Sequence, residues 1–542
     1  MTLLNAFERR INIGTYIRLS ILPNNISNSE WENVYDESLE LVKAYPFAHE
    51  EDRKFWGFRV PVYAQTNEKF NPERYWTIMG DLHSKQYGET FRLYRDLNKY
   101  KARQGTGEGK DILLEEEQQI CVFDSKTQGY QYHLYILAIA MLIESRFPKS
   151  AIVGGDIDFE QCMKAKEWAD QHLSLPVDLP VRVRMEQLLS RFSNLNNELE
   201  QIHVIEKLLI ADSEEMFKMI YTHFSSETFH LWFSNKLQTF SSPNQIGALK
   251  LLIYYLNVTN DLNNLFYIVC RDEKGPKFPL AEIIRAIART WIGLPREKFT
   301  YLKHFEKIAG HPQIVERQFG TIILDMRFSG REIKSFIPLP EIAKSLARYF
   351  PESDNQIEST LRQEMSRIEE ELLAFHNQIR PAIELSNAST EDKKFLADED
   401  AFLYFDEDTV KLTNEQDLMI KGIAFSINTL LEQEGEGVLK EFFYGSIRNL
   451  KRIFTGLFIE KYNSILTENA WRWINDTEDP RLVRILVAKL IIDEARGLKH
   501  QKAQSDIRKA MLENKALTQK IADYMDSEVA MKQIEEIINK NK

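Results

Sequence analysis

The sequence predicts a mainly α-helical protein, in which an N-terminal α+β domain is followed by an irregular helical array or bundle. Three observations carry this. Short β-like runs separated by turn signals are confined to the first third of the chain. A helix that is apolar on every side, residues 130–147, lies within that region. Beyond about Pro180 the apolar residues recur mostly at i, i+3 and i+4. The 542 residues, 43% hydrophobic and 28% charged, have the composition of a folded protein with several cores. The expected division is an α+β domain over 1–180, a helical domain over 181–390, an acidic linker over 391–417 and a C-terminal helical domain over 418–542.

Ser27, Asn28 and Ser29 offer caps for a helix carrying Trp31, Val34, Tyr35, Leu39 and Val42, which Pro46 ends. Strands are expected over Phe55–Tyr63, Arg74–Gly80, Phe91–Leu97, Ile120–Phe123 and Ala151–Val153. The helix 130–147 has no polar face, so it belongs at the centre of its domain, and Pro148 stops it. Asp158, with Gln161 three residues on, forms a capping-box pair for a helix reaching Leu173. Further helices are expected over Asn197–Ile210, Ser213–Phe224, Gln245–Leu256, Ala281–Ile292, Phe299–Ala309 and Ile357–Ile379, and one long helix over Gly437–Asn469. Gly445 and Gly456 would each cost that long helix about 1 kcal/mol relative to Ala, which points to close packing against a neighbouring helix. No repeat of fixed period is visible.

Charge narrows the function. Lys plus Arg total 69 against 81 Asp plus Glu, a net −12, the wrong sign for general nucleic-acid binding through phosphate neutralisation. Cys121, Cys162 and Cys270 are too few and too dispersed for a disulfide framework or a zinc site, which favours the reducing cytoplasm. The first ten residues put charge where a signal peptide needs an apolar run. The apolar stretch Leu134–Ile143 falls short of the roughly 20 residues of a membrane span. No membrane association is expected.

The catalytic motifs fail on their chemistry. Gly105-Thr106-Gly107-Glu108-Gly109-Lys110-Asp111 lacks the first glycine of a phosphate loop and has a carboxylate where the magnesium-binding hydroxyl belongs. Gly154-Gly155-Asp156 resembles part of the diguanylate cyclase signature, but Asp158 replaces its glutamate. There is no HExxH and no GxSxG. His223 and His230 are separated by the helix break Ser225-Ser226, and His133 reads as a core residue. Asp272-Glu273-Lys274 and Glu391-Asp392-Lys393 are nuclease-like tripeptides that 28% charged residues supply by chance. Asp398–Asp408 lacks the EF-hand's glycine and bidentate glutamate. No catalytic residue, metal site or cofactor is therefore expected.

Two candidate sites remain. Ser125, Lys126 and Thr127 precede the apolar helix, where free amides, a lysine and two hydroxyls would hold an anion; a simple helix cap is the competing reading. Asp398, Glu399, Asp400, Asp406, Glu407 and Asp408 form a second candidate, for partner binding. They belong to the stretch Glu391–Asp417, whose ten acidic residues and three lysines give −7 in 27 residues. Such a stretch can steer a basic protein, and also has the composition of a solvated linker.

Trp76-Thr77-Ile78-Met79-Gly80-Asp81, Ser125-Lys126-Thr127-Gln128-Gly129-Tyr130, Glu144-Ser145-Arg146-Phe147-Pro148 and Gly155-Asp156 leading into Gln161-Cys162 together resemble a group of large bacterial proteins of the toxin-immunity type. The resemblance covers residues 76–180 and carries no catalytic residue. It implies a cytoplasmic factor that neutralises a toxin by direct binding, and a basic toxin fits the acidic charge. The 8 Trp, 21 Tyr and 32 Phe would then supply binding anchors. Two alternatives stand beside it. One is an anion- or nucleotide-sensing protein or enzyme, with its site in the N-terminal domain. The other is a helical scaffold subunit of a bacterial defence complex, assembling through Ile507–Ile538.

Overall fold

The computed structural model describes residues 15–70, 72–103, 113, 119–192, 195, 197–299, 328–389, 410, 412, 414–434, 440–462, 464–498 and 502–540. Through residue 155 the elements run β1 (Tyr16–Ile21), α1 (Asn28–Ala44), β2 (Phe47–Phe55), β3 (Phe58–Gln65), β4 (Lys69–Phe70), β5 (Arg74–Asp81), β6 (Tyr87–Tyr94), α2 (Asn98–Lys101), β7 (Ile120–Lys126), α3 (Tyr132–Arg146) and β8 (Ala151–Gly155). Helices follow: α4 (Phe159–Asp170), α5 (Met185–Arg191), α6 (Glu198–Leu208), α7 (Ser213–His223), α8 (Ser226–Gln238), α9 (Ile246–Thr259), α10 (Leu262–Cys270), α11 (Leu280–Arg289), α12 (Leu339–Ala347) and α13 (Asp354–Ser389). The last part comprises α14 (Asn414–Glu434), α15 (Lys440–Tyr444), α16 (Ile447–Tyr462), β9 (Leu466–Thr467), α17 (Glu468–Asp476), α18 (Pro480–Ala495), α19 (Lys502–Glu513), α20 (Lys515–Asp526) and α21 (Glu528–Lys540). The protein is mainly α, with its sheets near the N-terminus and a helical array after them.

The chain divides into two units that are discontinuous in sequence. Unit 1 holds residues 1–27, 98–129 and 134–388; unit 2 holds 28–97, 130–133 and 389–542. The sequence reading drew its boundaries near 180, 390 and 417 instead. The difference arises because periodicity marks a buried face but not the sheet against which that face packs.

In unit 1, β1 is the centre of a three-stranded antiparallel sheet, order β7-β1-β8, with Leu19 opposite both Phe123 and Val153. Ile17, Leu19 and Ile21 alternate into the core. Helix α3 behaves as its composition requires, with Ile136–Ile143 fully buried. Gly155 closes β8 at φ +116°, where an added Cβ would lie 2.4 Å from the Tyr16 carbonyl oxygen, so only glycine fits. Asp158 and Gln161 form the expected capping box on α4. The helices from α5 onward share a core in which Phe217 meets Phe229, Trp232 and Phe233 at 5.2–5.8 Å.

In unit 2, β2 pairs with β3 and β5, β4 and β6 pair with β5, and β9 adds in parallel to β3 through Val62–Leu466 and Tyr63–Thr467. Trp56 and Gly57, both left-handed at φ +52° and +90°, make a two-residue hairpin turn. The hairpin tip docks on the helices: Phe55 stacks on Trp471 at 5.4 Å, and Phe58 approaches the Gly456 position to 3.3 Å. Close packing at Gly456 is therefore against a strand side chain. The remaining core joins α14, α16, α18, α19 and α20.

Several boundaries differ from the sequence reading. The expected strand Phe55–Tyr63 runs through the Trp56-Gly57 turn and belongs to two strands. The expected helix Gly437–Asn469 is broken at Gly445 and again before Thr467, whose hydroxyl caps α17 by accepting from Ala470 N. Phe91–Leu97 is realised as Tyr87–Tyr94, and β1 was not anticipated. Most of Phe299–Ala309 lies outside the described residues. Among the described residues no helix is long and apolar enough to cross a membrane.

Candidate functional site

The two sequence-derived sites fare differently. Ser125 and Lys126 are the last residues of β7, opposite Ile17 and Tyr16 of β1. Thr127 is fully buried, and its Oγ1 donates to the Thr15 carbonyl oxygen at 3.1 Å. The backbone amides of Thr127 and Gln128 donate to the same oxygen at 2.7 and 3.2 Å. Gln128 and Gly129 then turn through left-handed conformations, and Gly129 N donates to Thr127 Oγ1 at 3.4 Å. Helix α3 starts only at Tyr132. The amides and hydroxyl that an anion would need at Thr127 thus hold the β7–α3 turn to the start of β1. Thr127 acts as a turn brace, not as the helix cap.

Asp398, Glu399, Asp400, Asp406, Glu407 and Asp408 lie outside the described residues. At the edge of the acidic stretch, Asp417 pairs with Lys421 Nζ at 2.9 Å and accepts from the Tyr524 hydroxyl. These partners hold its carboxyl below the usual carboxylate range, against the opposing effect of burial.

The stretches that carried the resemblance are built into the fold. Trp76 is buried, and its indole N–H donates to Ser38 Oγ at 3.1 Å. A Cβ at Gly80 would fall 1.9 Å from the Tyr63 hydroxyl and 2.0 Å from the Gln86 carbonyl oxygen, two atoms that hydrogen-bond each other at 2.7 Å. His223 ends α7 and His230 lies within α8, separated by the Ser225 cap. His230 approaches Asn264 at 2.7 Å, and burial holds its pKa down.

Sequence reasoning missed two buried polar networks that share α19. In the first, the turn after β5 folds on Asp81, which accepts from Ser84 N at 2.5 Å and Ser84 Oγ at 2.6 Å. Burial raises the Asp81 pKa, and the Ser84 hydrogen bonds oppose this. Lys85, left-handed at φ +54°, lies 3.6 Å from Glu513. Glu513 also accepts from the amide and hydroxyl of Thr467. Lys509 Nζ donates to the Lys85 carbonyl and lies 5.6 Å from the Tyr87 ring centre; burial holds its amine below the ordinary lysine range. In the second network Asp493 accepts from Lys489 Nζ and, at 2.9 Å, from Arg508 Nη1. The Arg508 guanidinium lies 4.4 Å from the Tyr462 ring centre. Charges set among Ile507, Met511 and Leu512 were the available signal: an ionic side chain inside an apolar stripe needs a buried partner.

Both networks spend their donors and acceptors on protein atoms, so they brace α19 against β5, β9 and α18. Perturbed groups often mark reaction centres, but here the opposite charges meet one another. Among the described residues no three His, Cys, Asp or Glu side chains are placed to hold a metal ion. The three cysteines are free thiols. Trp31, Trp76, Trp471, Phe217 and Phe229 are fully buried, so these aromatic residues build cores instead of serving as surface anchors. No family model, curated protein or solved structure matches the chain.

Proposed function

We propose that the chain is a cytoplasmic binding protein that captures a basic protein partner, in the manner of an immunity factor neutralising a toxin. The observation that carries this reading is the charge of residues 391–417. That stretch holds −7 of the chain's −12, and its last four residues open α14. Concentrated like charge attracts an oppositely charged protein over about a Debye length, near 8 Å at physiological salt, and sets the rate of encounter.

Affinity capture from native lysate tests the reading. The full chain is compared with a variant carrying Asp398→Asn, Glu399→Gln, Asp400→Asn, Asp406→Asn, Glu407→Gln and Asp408→Asn. The native chain should retain a basic protein that the neutralised chain loses at physiological salt. Equal retention would end the proposal.

A further inference from the structure

Where β4, β5 and β6 lie side by side, the sheet of unit 2 has two unlike faces. Trp76 and Ile78 of β5, with their partners Leu93 and Phe91 of β6, point to one face and are fully buried. Helix α1 packs there: the Trp31 indole N–H donates to the Tyr94 carbonyl oxygen at 3.0 Å, and Ser38 accepts from Trp76. Alternation sends Tyr75, Thr77, Arg92 and Tyr94 to the other face. On it Lys69, Tyr75 and Tyr94 form one cross-strand row, and Thr77 with Arg92 forms the next.

This second face carries a cluster of flat groups. The Tyr75 and Tyr94 ring centres are 5.7 Å apart. The exposed Arg92 places its guanidinium 5.0 Å from the Tyr75 ring centre and 5.8 Å from that of Tyr94. Its Nη1 donates to the Tyr94 hydroxyl at 3.1 Å. Alongside, Glu51 pairs with Lys69 and, at 2.8 Å, with Arg53. Three cations and one carboxylate give this face a local charge of +2, in a chain whose net charge is −12.

We propose that this face is a platform for single-stranded nucleic acid, on which a base stacks against Tyr75, Arg92 and Tyr94 and the adjoining phosphates meet Lys69 and Arg53. The ligand has to match two properties at once. Ring and guanidinium planes accept another flat π-system, and the excess of cations selects an anion. A single strand supplies both. A duplex keeps its base faces stacked inside, and an acidic peptide brings charge without a flat partner. The net charge of the chain opposes long-range attraction of a polyanion, so the contact is short and local, unlike general phosphate binding. The proposal does not rest on the acidic stretch or on its protein partner.

Fluorescence anisotropy of labelled oligo(U) and oligo(dT), each of about eight nucleotides, with the full chain at about 50 mM salt tests this. A single strand should bind, with log affinity falling against log salt at a slope of about −1.4, from two neutralised phosphates. Binding of both strands, or of one sugar type alone, supports the proposal, and the second result names the source. Tyr75→Ala and Tyr94→Ala should each weaken binding about fivefold or more, whereas Tyr75→Phe should retain it. Arg92→Gln alters an exposed side chain, should weaken binding and flatten the salt slope, and decides the matter if the alanine variants do not fold. Failure of both strands to bind, equal affinity for a duplex or for poly-glutamate, or native affinity in Arg92→Gln would overturn the proposal.

Discussion

Replacing Asp493 with alanine isolates what a buried charge is worth in this fold. Asp493 is fully buried, and its two oxygens serve two cations, Lys489 and Arg508, whose side chains are 4% and 6% exposed. Lys489 keeps a hydrogen bond to Gln504 Oε1 at 3.1 Å, and Arg508 keeps one to Ser505 Oγ at 3.2 Å. Gln504 and Ser505 carry no charge. The substitution therefore removes the carboxylate that both buried cations face, and breaking a buried ion pair from one side costs about 3–5 kcal/mol. Because the chain has two units, a single whole-chain transition is a poor gauge. Exchange of the α18 and α19 amides under increasing urea reports the local stability directly. Burial already holds the Lys489 amine below its ordinary range, and Asp493 opposes that effect. Without Asp493 the amine is easier still to deprotonate, so the deficit should shrink as pH rises toward the ordinary lysine value. Adding Lys489→Met should recover part of the loss by removing one stranded charge. A deficit below about 1 kcal/mol, or one that grows with pH, would refute the reasoning.

Two further substitutions test the local geometry of unit 1. Gly155→Ala meets both a left-handed backbone and the Tyr16 carbonyl oxygen, and should destabilise by about 2 kcal/mol or more, with faster exchange at the Tyr16 and Asp156 amides. Asp158→Ala removes the α4 capping box and should cost about 1 kcal/mol, read as faster exchange at Gln161 with little change in β8.

What the sequence disclosed follows from which signals are local. The apolar face of α1, the all-apolar α3 and the Asp158–Gln161 cap depend on residues within a few positions of one another, and each was legible. The hairpin turn was hidden because Trp56 takes a left-handed conformation that its residue type does not advertise. The break of the long C-terminal helix depends on β9 finding β3, a pairing across some four hundred residues that no window of periodicity can register. The same holds for the site. Ser125, Lys126 and Thr127 offered the right groups for an anion, but the Thr15 carbonyl, 112 residues before Thr127, takes the amides and hydroxyl. Glu144 follows the apolar stretch Leu134–Ile143 in sequence, but the amides its carboxylate accepts from, Val153 and Val181, lie 9 and 37 residues further on.

The central claim is that the charge around residues 398–408 draws in a basic protein. The most direct measurement is the association rate of the captured partner with the native and neutralised chains over a range of ionic strength. The account predicts a fast, salt-sensitive rate for the native chain, and a slower rate, nearly independent of salt, for the neutralised one. Two indistinguishable, salt-insensitive rates would contradict it.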